Sequence, residues 1–465
     1  MRQVLRGASV VAQPTIRREK PALRSPCDFT LAAFENSDVS VDIATVPTNA
    51  EHREHDLRWQ IAFLVSVAIA ISYLDRQTLP WAIKAIQADI PITNQTKAAL
   101  DSAFLATYGV MYLGGGWLLD RLGTRRGFLW IMIFWSIACA SHGFAGGVIM
   151  LAASRLLLGV GEGGGFPAAT RAVAEWFPVE QRATAMGIVN AGTAVGAVIA
   201  PPLIALILAR GYWFDLSPWR WVFFITGAFG LVWAIWWWRV YRSPGDAQTS
   251  TAAEPASRIT LFDLLRHREI WGVVGAKFLS DAAWYFYLFW LPKYLYDVHS
   301  FDLKQAGSIG WIPYAASGVG CLAGGGLSSW LLVRGHSVNR ARKLALGISA
   351  ALMPWVILVP HVSSLALVML LFSLAFFGQQ SWSTLVMILP TDLVPKQCLG
   401  KVAGLVGLGG AMGGVVLGQL AGWLLDHGFS YAPVLAVAGS LHVIAFVLIC
   451  LAVPRIKALT FQTRS

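Results

Sequence analysis

Residues 116–126 read GWLLDRLGTRR, which places Gly116, Asp120, Arg121, Gly123, Arg125 and Arg126 in the spacing G-x-x-x-D-R-x-G-x-R-R. The stretch lies between two apolar runs, at about 98–119 and 127–147, each near the roughly 20 residues a helix needs to cross a hydrocarbon core. It is therefore the short polar turn of a membrane hairpin. A carboxylate at the end of one helix can pair with an Arg or the N-terminus of its neighbour. On that ground Asp120, Arg121 and Arg125 are expected to form a gate that latches two halves of the molecule on the inner side.

The same alternation of apolar run and short polar turn extends in both directions. Spans are predicted at about 59–82, 98–119, 127–147, 150–173, 183–208, 220–241, 270–295, 306–332, 343–361, 363–389, 401–424 and 430–453. The composition agrees. Of 465 residues 56% are apolar and 13% charged, against roughly 45–50% and 25% in soluble domains. This excludes a water-soluble globular enzyme. The expected fold is an all-α polytopic membrane protein with twelve transmembrane helices in two pseudo-symmetric six-helix halves. Its parts are a polar, Pro-broken tail (1–58), a first bundle (59–241), a linker (242–269), a second bundle (270–454) and a short tail (455–465). Both tails and the linker are expected to face the cytoplasm.

Orientation follows from the basic residues. Lys84, Lys97, Arg210, Arg220, Lys293 and Lys304 fall on one side, and the large majority of the remaining Lys and Arg in the turns fall on the other. The positive-inside rule then puts both termini in the cytoplasm. The net charge of +11 is spread among apolar runs and forms no stripe, so no nucleic-acid partner is expected. Five widely separated cysteines have neither metal spacing nor a disulfide framework. No metal or other cofactor is expected.

Charge inside the hydrocarbon region is costly and marks ion or substrate pathways. Six residues carry it: Asp75 and Arg76 in span 1, Arg155 and Glu162 in span 4, and Lys277 and Asp281 in span 7. Depth, counted at about 1.5 Å per residue, makes Asp75 and Arg155 candidates to pair. Glu162 falls deeper on the same face as Arg155, with no opposite charge close by in its own span. Lys277 and Asp281 share a face at i,i+4 spacing, where pairing along one helix is easy. The formal G-x-G-x-x-G at 159–164 lacks the strand–helix–strand setting of a dinucleotide site. Its small residues, like Gly192/Gly196 and Gly410/Gly414/Gly418, are expected to let helices approach closely. The mirror turn GGGLSSWLLVRGHSVNRARK (324–343) lacks an acid at the equivalent place, so a second latch is expected to be weaker or differently built.

The 116–126 turn resembles the signature loop of the major facilitator superfamily. SYLDRQTL (72–79), EGGGFPAATRAVAEWFPVEQRATAMG (162–187), KFLSDAAW (277–284), FWLPKY (289–294), FDLK (301–304) and GWIPY (310–314) resemble its anion:cation symporter branch, and within it the bacterial hexuronate transporters. The resemblance implies proton-coupled uptake of a sugar acid by alternating access, by a monomer in the plasma (inner) membrane. Asp75 and Glu162 would carry the proton, Arg155 would coordinate the substrate carboxylate or the proton-bearing acid, and Tyr73, Tyr108 and Gln380 would line the cavity.

Mechanistically, burial favours a neutral carboxyl group and a nearby Arg favours the anion. Protonating such an acid frees a cation, Arg76, Arg155 or Lys277, for the small organic anion. Tyr73, Tyr108, Tyr285, Gln380 and Ser381 would read hydroxyls and Trp284 a ring face, and Lys277 and Asp281 are further candidates for substrate binding. An antiporter exporting another organic anion or a drug is the alternative. Ala197 stands where exporters often carry a Pro after the second Gly of span 5.

Overall fold

The computed structural model describes residues 49–211, 214–242, 260–395 and 398–459. Most of the predicted 1–58 tail, the greater part of the linker and the extreme C-terminus lie outside the described residues. The helices are α1 (Asn49–Asp89), α2 (Asn94–Ser141), α3 (Val148–Gly163), α4 (Gly165–Trp176), α5 (Val179–Ala209) and α6 (Pro218–Val240). They continue as α7 (Leu261–Leu265), α8 (Arg268–His299), α9 (Leu303–Ile309), α10 (Ile312–Val333), α11 (Val338–Ala351), α12 (Leu365–Leu393), α13 (Leu399–Asp426) and α14 (Ala432–Ala452). An all-helical answer is what a lipid solvent imposes, because each backbone N–H and C=O must be satisfied within its own segment.

Among the described residues, ten helical stretches are long and apolar enough to cross a membrane. One of them, 94–144, contains a break at Gly123, whose φ of 72° and ψ of 164° no helix accommodates. Only glycine adopts that conformation without a Cβ penalty, which explains its place in the 116–126 turn. Counting that stretch as two crossings, and adding α8 with its 32 residues, gives twelve. Helix α8 falls short of the apolar ten because it carries Lys277, Asp281, Lys293 and several tyrosines. It can, because every residue from Ser280 to Tyr296 is buried. Its solvent is protein.

The structure refines several boundaries. Helix α1 begins at Asn49, ten residues before the predicted span, by running on through a polar segment. The fourth span is broken at Gly164 into α3 and α4. The ninth ends as a 3-10 segment, Pro354–His361, where two prolines remove backbone donors. Within the linker, Thr260 and Asp263 form a capping box that starts the short α7.

The two halves interlock through α2 against α13 and α5 against α10. In order of crossing these are the second with the eleventh and the fifth with the eighth. A shift of six crossings exchanges one pair for the other, as a repeat-built fold requires. Gly192 and Gly196 of α5 lie directly on the carbonyls of Ser66 and Ala70 of α1, so a Cβ at either would collide with backbone. Gly410 and Gly414 of α13 likewise face Asp281 and Tyr285 of α8. Gly418, expected to act with them, has open space beside it.

Candidate functional site

The buried charges of the first half gather where α1, α2 and α3 meet. Glu162 of α3 accepts hydrogen bonds through Oε2 from Arg76 Nε and from Ser72 Oγ of α1, each at 2.7 Å. Both members of this ion pair are at most 2% exposed. The Arg76 guanidinium also lies 4.5 Å from the Tyr108 ring centroid, 4.7 Å from Tyr73 and 5.6 Å from Phe104. Desolvated cation–π contacts of this kind add to its stabilisation. Glu162 thus has a close opposite charge, supplied by span 1 across the helix interface. The reading of its own span could not find it.

The expected pairing of Asp75 with Arg155 does not form. Asp75 Oδ2 accepts from the Trp135 indole N–H at 2.7 Å. Arg155 is fully buried, none of its three nitrogens has a hydrogen-bond partner among the described residues, and its guanidinium carbon sits 5.8 Å from the Phe104 ring centroid. The helix direction brought the two residues to similar depth, and a neutral donor took the carboxylate. An indole N–H has no signature in a charge pattern, so Trp135 and Ser72 were invisible in the sequence.

In the second half, Lys277 Nζ lies 3.0 Å from Asp281 Oδ1 one turn along α8 and donates to Ser383 Oγ of α12 at 2.9 Å. The easy self-pairing along one helix is what forms. Trp284 packs edge-on against Phe376, and Tyr285 stacks on Phe289. Ser381 exchanges a 2.7 Å hydrogen bond with Ser349 of α11, so its hydroxyl is engaged in helix packing. Gln380 is half-buried, and its backbone carbonyl accepts from Thr384. The neighbouring Gln379 is deeper and pairs through Oε1 with His442 Nε2 of α14.

Lys97, read as an outer-loop residue, is fully buried. It bonds Asp101 Oδ2 at 2.6 Å and sits 4.4 Å from the Trp290 ring centroid. The i,i+4 spacing of Lys97 and Asp101 was the missed signal.

Among the described residues, the partners of the gate residues lie within the first half. Asp120 pairs with Arg171 of α4 at 2.5 Å, and Arg171 also reaches Glu175 at 3.1 Å. Glu175 further accepts from Thr124 and Tyr241. Arg125 donates to the Trp238 carbonyl, and Arg121 covers Trp117. All these partners belong to the first half. The second half has its own node, in which Arg342 bonds Asp392 at 3.0 Å and Ser328 at 2.8 Å. The latch expected to be differently built thus takes its acid from the end of α12.

The halves are tied at the opposite end. Asp426, closing α13, accepts from the backbone N–H groups of Asn94 and Gln95 at 3.0 and 2.8 Å. There its carboxylate meets the positive end of α2. Gln95 donates to Gln419, Gln419 to Ser102, and Tyr296 to the Trp81 carbonyl. Lys84 lies 3.5 Å from Asp297.

Comparison with known proteins agrees with this architecture. The sequence profile described as Major Facilitator Superfamily matches residues 65–418. The chain is 28% identical to the hexuronate transporter of Escherichia coli K12 over 82% of its own length and 90% of that protein's. It is 28% identical to the D-galactonate transporter of Escherichia coli O6:H1 (84% and 94%), and 31% identical to the galacturonate transporter of Dickeya chrysanthemi (64% and 89%). Among solved structures, a bacterial homologue of the human lysosomal transporter Spinster, inward-facing and occupied, superposes with a TM-score of 0.69 at 18% identity. The match covers 85% of this chain and 96% of that one.

Proposed function

The chain belongs to the Major Facilitator Superfamily, and on that premise we propose that it imports a sugar acid, of which hexuronates and aldonates are the reference members, together with protons. The reading includes both termini in the cytoplasm, the bundles at 59–241 and 270–454, and a monomer in the inner membrane.

The observation that carries it is the buried Arg76–Glu162 pair, which joins α1 to α3. A paired acid and base in hydrocarbon contribute little net stability, yet they form a two-position switch. With Glu162 ionised, Arg76 is occupied. When Glu162 takes a proton, its hold on the guanidinium is lost, and a carboxylate can bind there in the bidentate geometry Arg offers. Substrate and proton then favour each other, which is coupling in the linkage sense. Asp75 serves as a second proton site beside Trp135, and Arg155, which has no hydrogen-bond partner among the described residues, brings a second positive charge to the Phe104 ring that Arg76 also approaches. Tyr73, Tyr108 and Tyr285 supply hydroxyls, and Trp284 supplies a ring face. The three transporters described above, which carry hexuronate, galactonate and galacturonate, support the substrate class.

The test is radiolabelled uptake of galacturonate, glucuronate and galactonate into cells expressing the protein, with and without a protonophore. Protonophore-sensitive accumulation of at least one of them is expected. Accumulation that ignores the protonophore, or alkaline-driven efflux of the same compounds, overturns the proton-symport reading.

A further inference from the structure

The bonds that tie the halves at the Asn94–Asp426 end surround a buried charge that the proton mechanism does not use. Lys97, in the first turn of α2, bonds Asp101 Oδ2 of its own helix at 2.6 Å and places its ammonium 4.4 Å from the ring centroid of Trp290 on α8. All three side chains are buried. The ion pair therefore belongs to the first half, and the ring that covers it belongs to the second. Arg155 of α3 and Lys293 of α8 lie within electrostatic reach of Lys97 and add like charge, although Lys293 has its own acid in Asp297. Asp101 Oδ1 has no hydrogen-bond partner among the described residues.

Two effects oppose each other at this seam. A desolvated cation–π contact favours keeping Trp290 over Lys97. Taking an ammonium and a carboxylate out of water costs more than their attraction returns unless further hydrogen bonds satisfy both groups. Separating the halves at this end lifts Trp290 away and lets water reach both charges. We propose that Lys97 and Asp101 form a loaded latch, a buried ion pair under Trp290 whose desolvation keeps the joined state of this end close in free energy to the separated one. The bonds to Asp426 draw the halves together, and the pair limits how firmly they stay so. An apolar seam at the same place would join more tightly and part more slowly. The latch concerns the balance between two arrangements of the halves and requires no particular cargo, so it stands or falls separately from the sugar-acid reading.

The test reads the ratio of separated to joined molecules from the distance between spin labels at Ile149 and Phe429, which are exposed at this end on the first and second halves. The purified full chain is measured without cargo. Both populations are expected in the otherwise wild-type protein. Lys97→Met strands a buried carboxylate and Asp101→Asn strands a buried ammonium, so each is expected to raise the ratio about fivefold or more. The double variant Lys97→Met/Asp101→Leu, which leaves an apolar pair, is expected to lower it by about fivefold. The opposite signs separate a latch from a pair that merely holds the halves together. Should Lys97→Met fail to fold, Asp101→Asn carries the same expectation. A double variant with a ratio at or above that of wild type overturns the latch. So do single variants that separate no more than wild type, or a wild-type protein with no separated population.

Discussion

Arg76 and Arg155 are both buried guanidiniums of the first half, but they differ in what their removal leaves behind. Arg76→Met strands Glu162 as an unpaired buried carboxylate, a loss of about 3–5 kcal/mol by analogy with other broken buried pairs. The purified variant is expected to melt well below wild type. Arg155→Met strands no hydrogen-bond partner among the described residues and removes a buried cation that makes no direct ion pair there. It is expected to melt at or above the wild-type temperature while losing substrate affinity. Thermal unfolding in detergent, run with and without substrate, separates the two. Equal destabilisation by both would show that Arg155 has a structural partner. Trp135→Phe tests the same level of detail, because it removes the indole donor that bonds Asp75 Oδ2. Lower proton-driven accumulation with binding retained is expected, and wild-type accumulation would remove Asp75 from the proton path.

At the scale of the helix, the sequence determined most of the answer. Hydropathy and charge alternation placed twelve crossings, because a lipid-facing helix must be apolar over its whole length. The exceptions follow from the same physics. Helix α8 could be polar because protein surrounds it, and the partners of Asp75 and Glu162 escaped notice because neutral donors and cross-helix contacts leave no periodic trace. The Asp120 turn was legible as a motif, whereas its partner Arg171 depended on how α4 packs beside α2. One prediction belongs here. Gly196→Val places a side chain on the Ala70 carbonyl of α1, and the yield of monodisperse protein after detergent extraction is expected to fall sharply. A normal yield would mean that α1 and α5 can separate without loss of the fold.

For the molecule as a whole, the bonds between halves among the described residues concentrate at the end carrying Asn94 and Asp426, while the described charged nodes at the other end stay within their own halves. Asp426→Ala removes a carboxylate from the N-terminus of α2, a contribution of about 1 kcal/mol, or roughly a fivefold change in population. Distances between spin labels placed across that end are expected to shift toward the separated state, and an unchanged distribution would assign the closure to other contacts.

The claim on which transport depends is that Glu162 exchanges Arg76 for a proton when cargo binds. Proteoliposomes of the purified protein, loaded with a pH-sensitive dye and given a sugar acid that wild type transports, report it directly. The account predicts internal acidification together with uptake in wild type. In Glu162→Gln it predicts counterflow of labelled substrate without acidification or concentrative uptake. Uptake by wild type with no proton movement, or concentrative uptake by Glu162→Gln at the wild-type level, contradicts it.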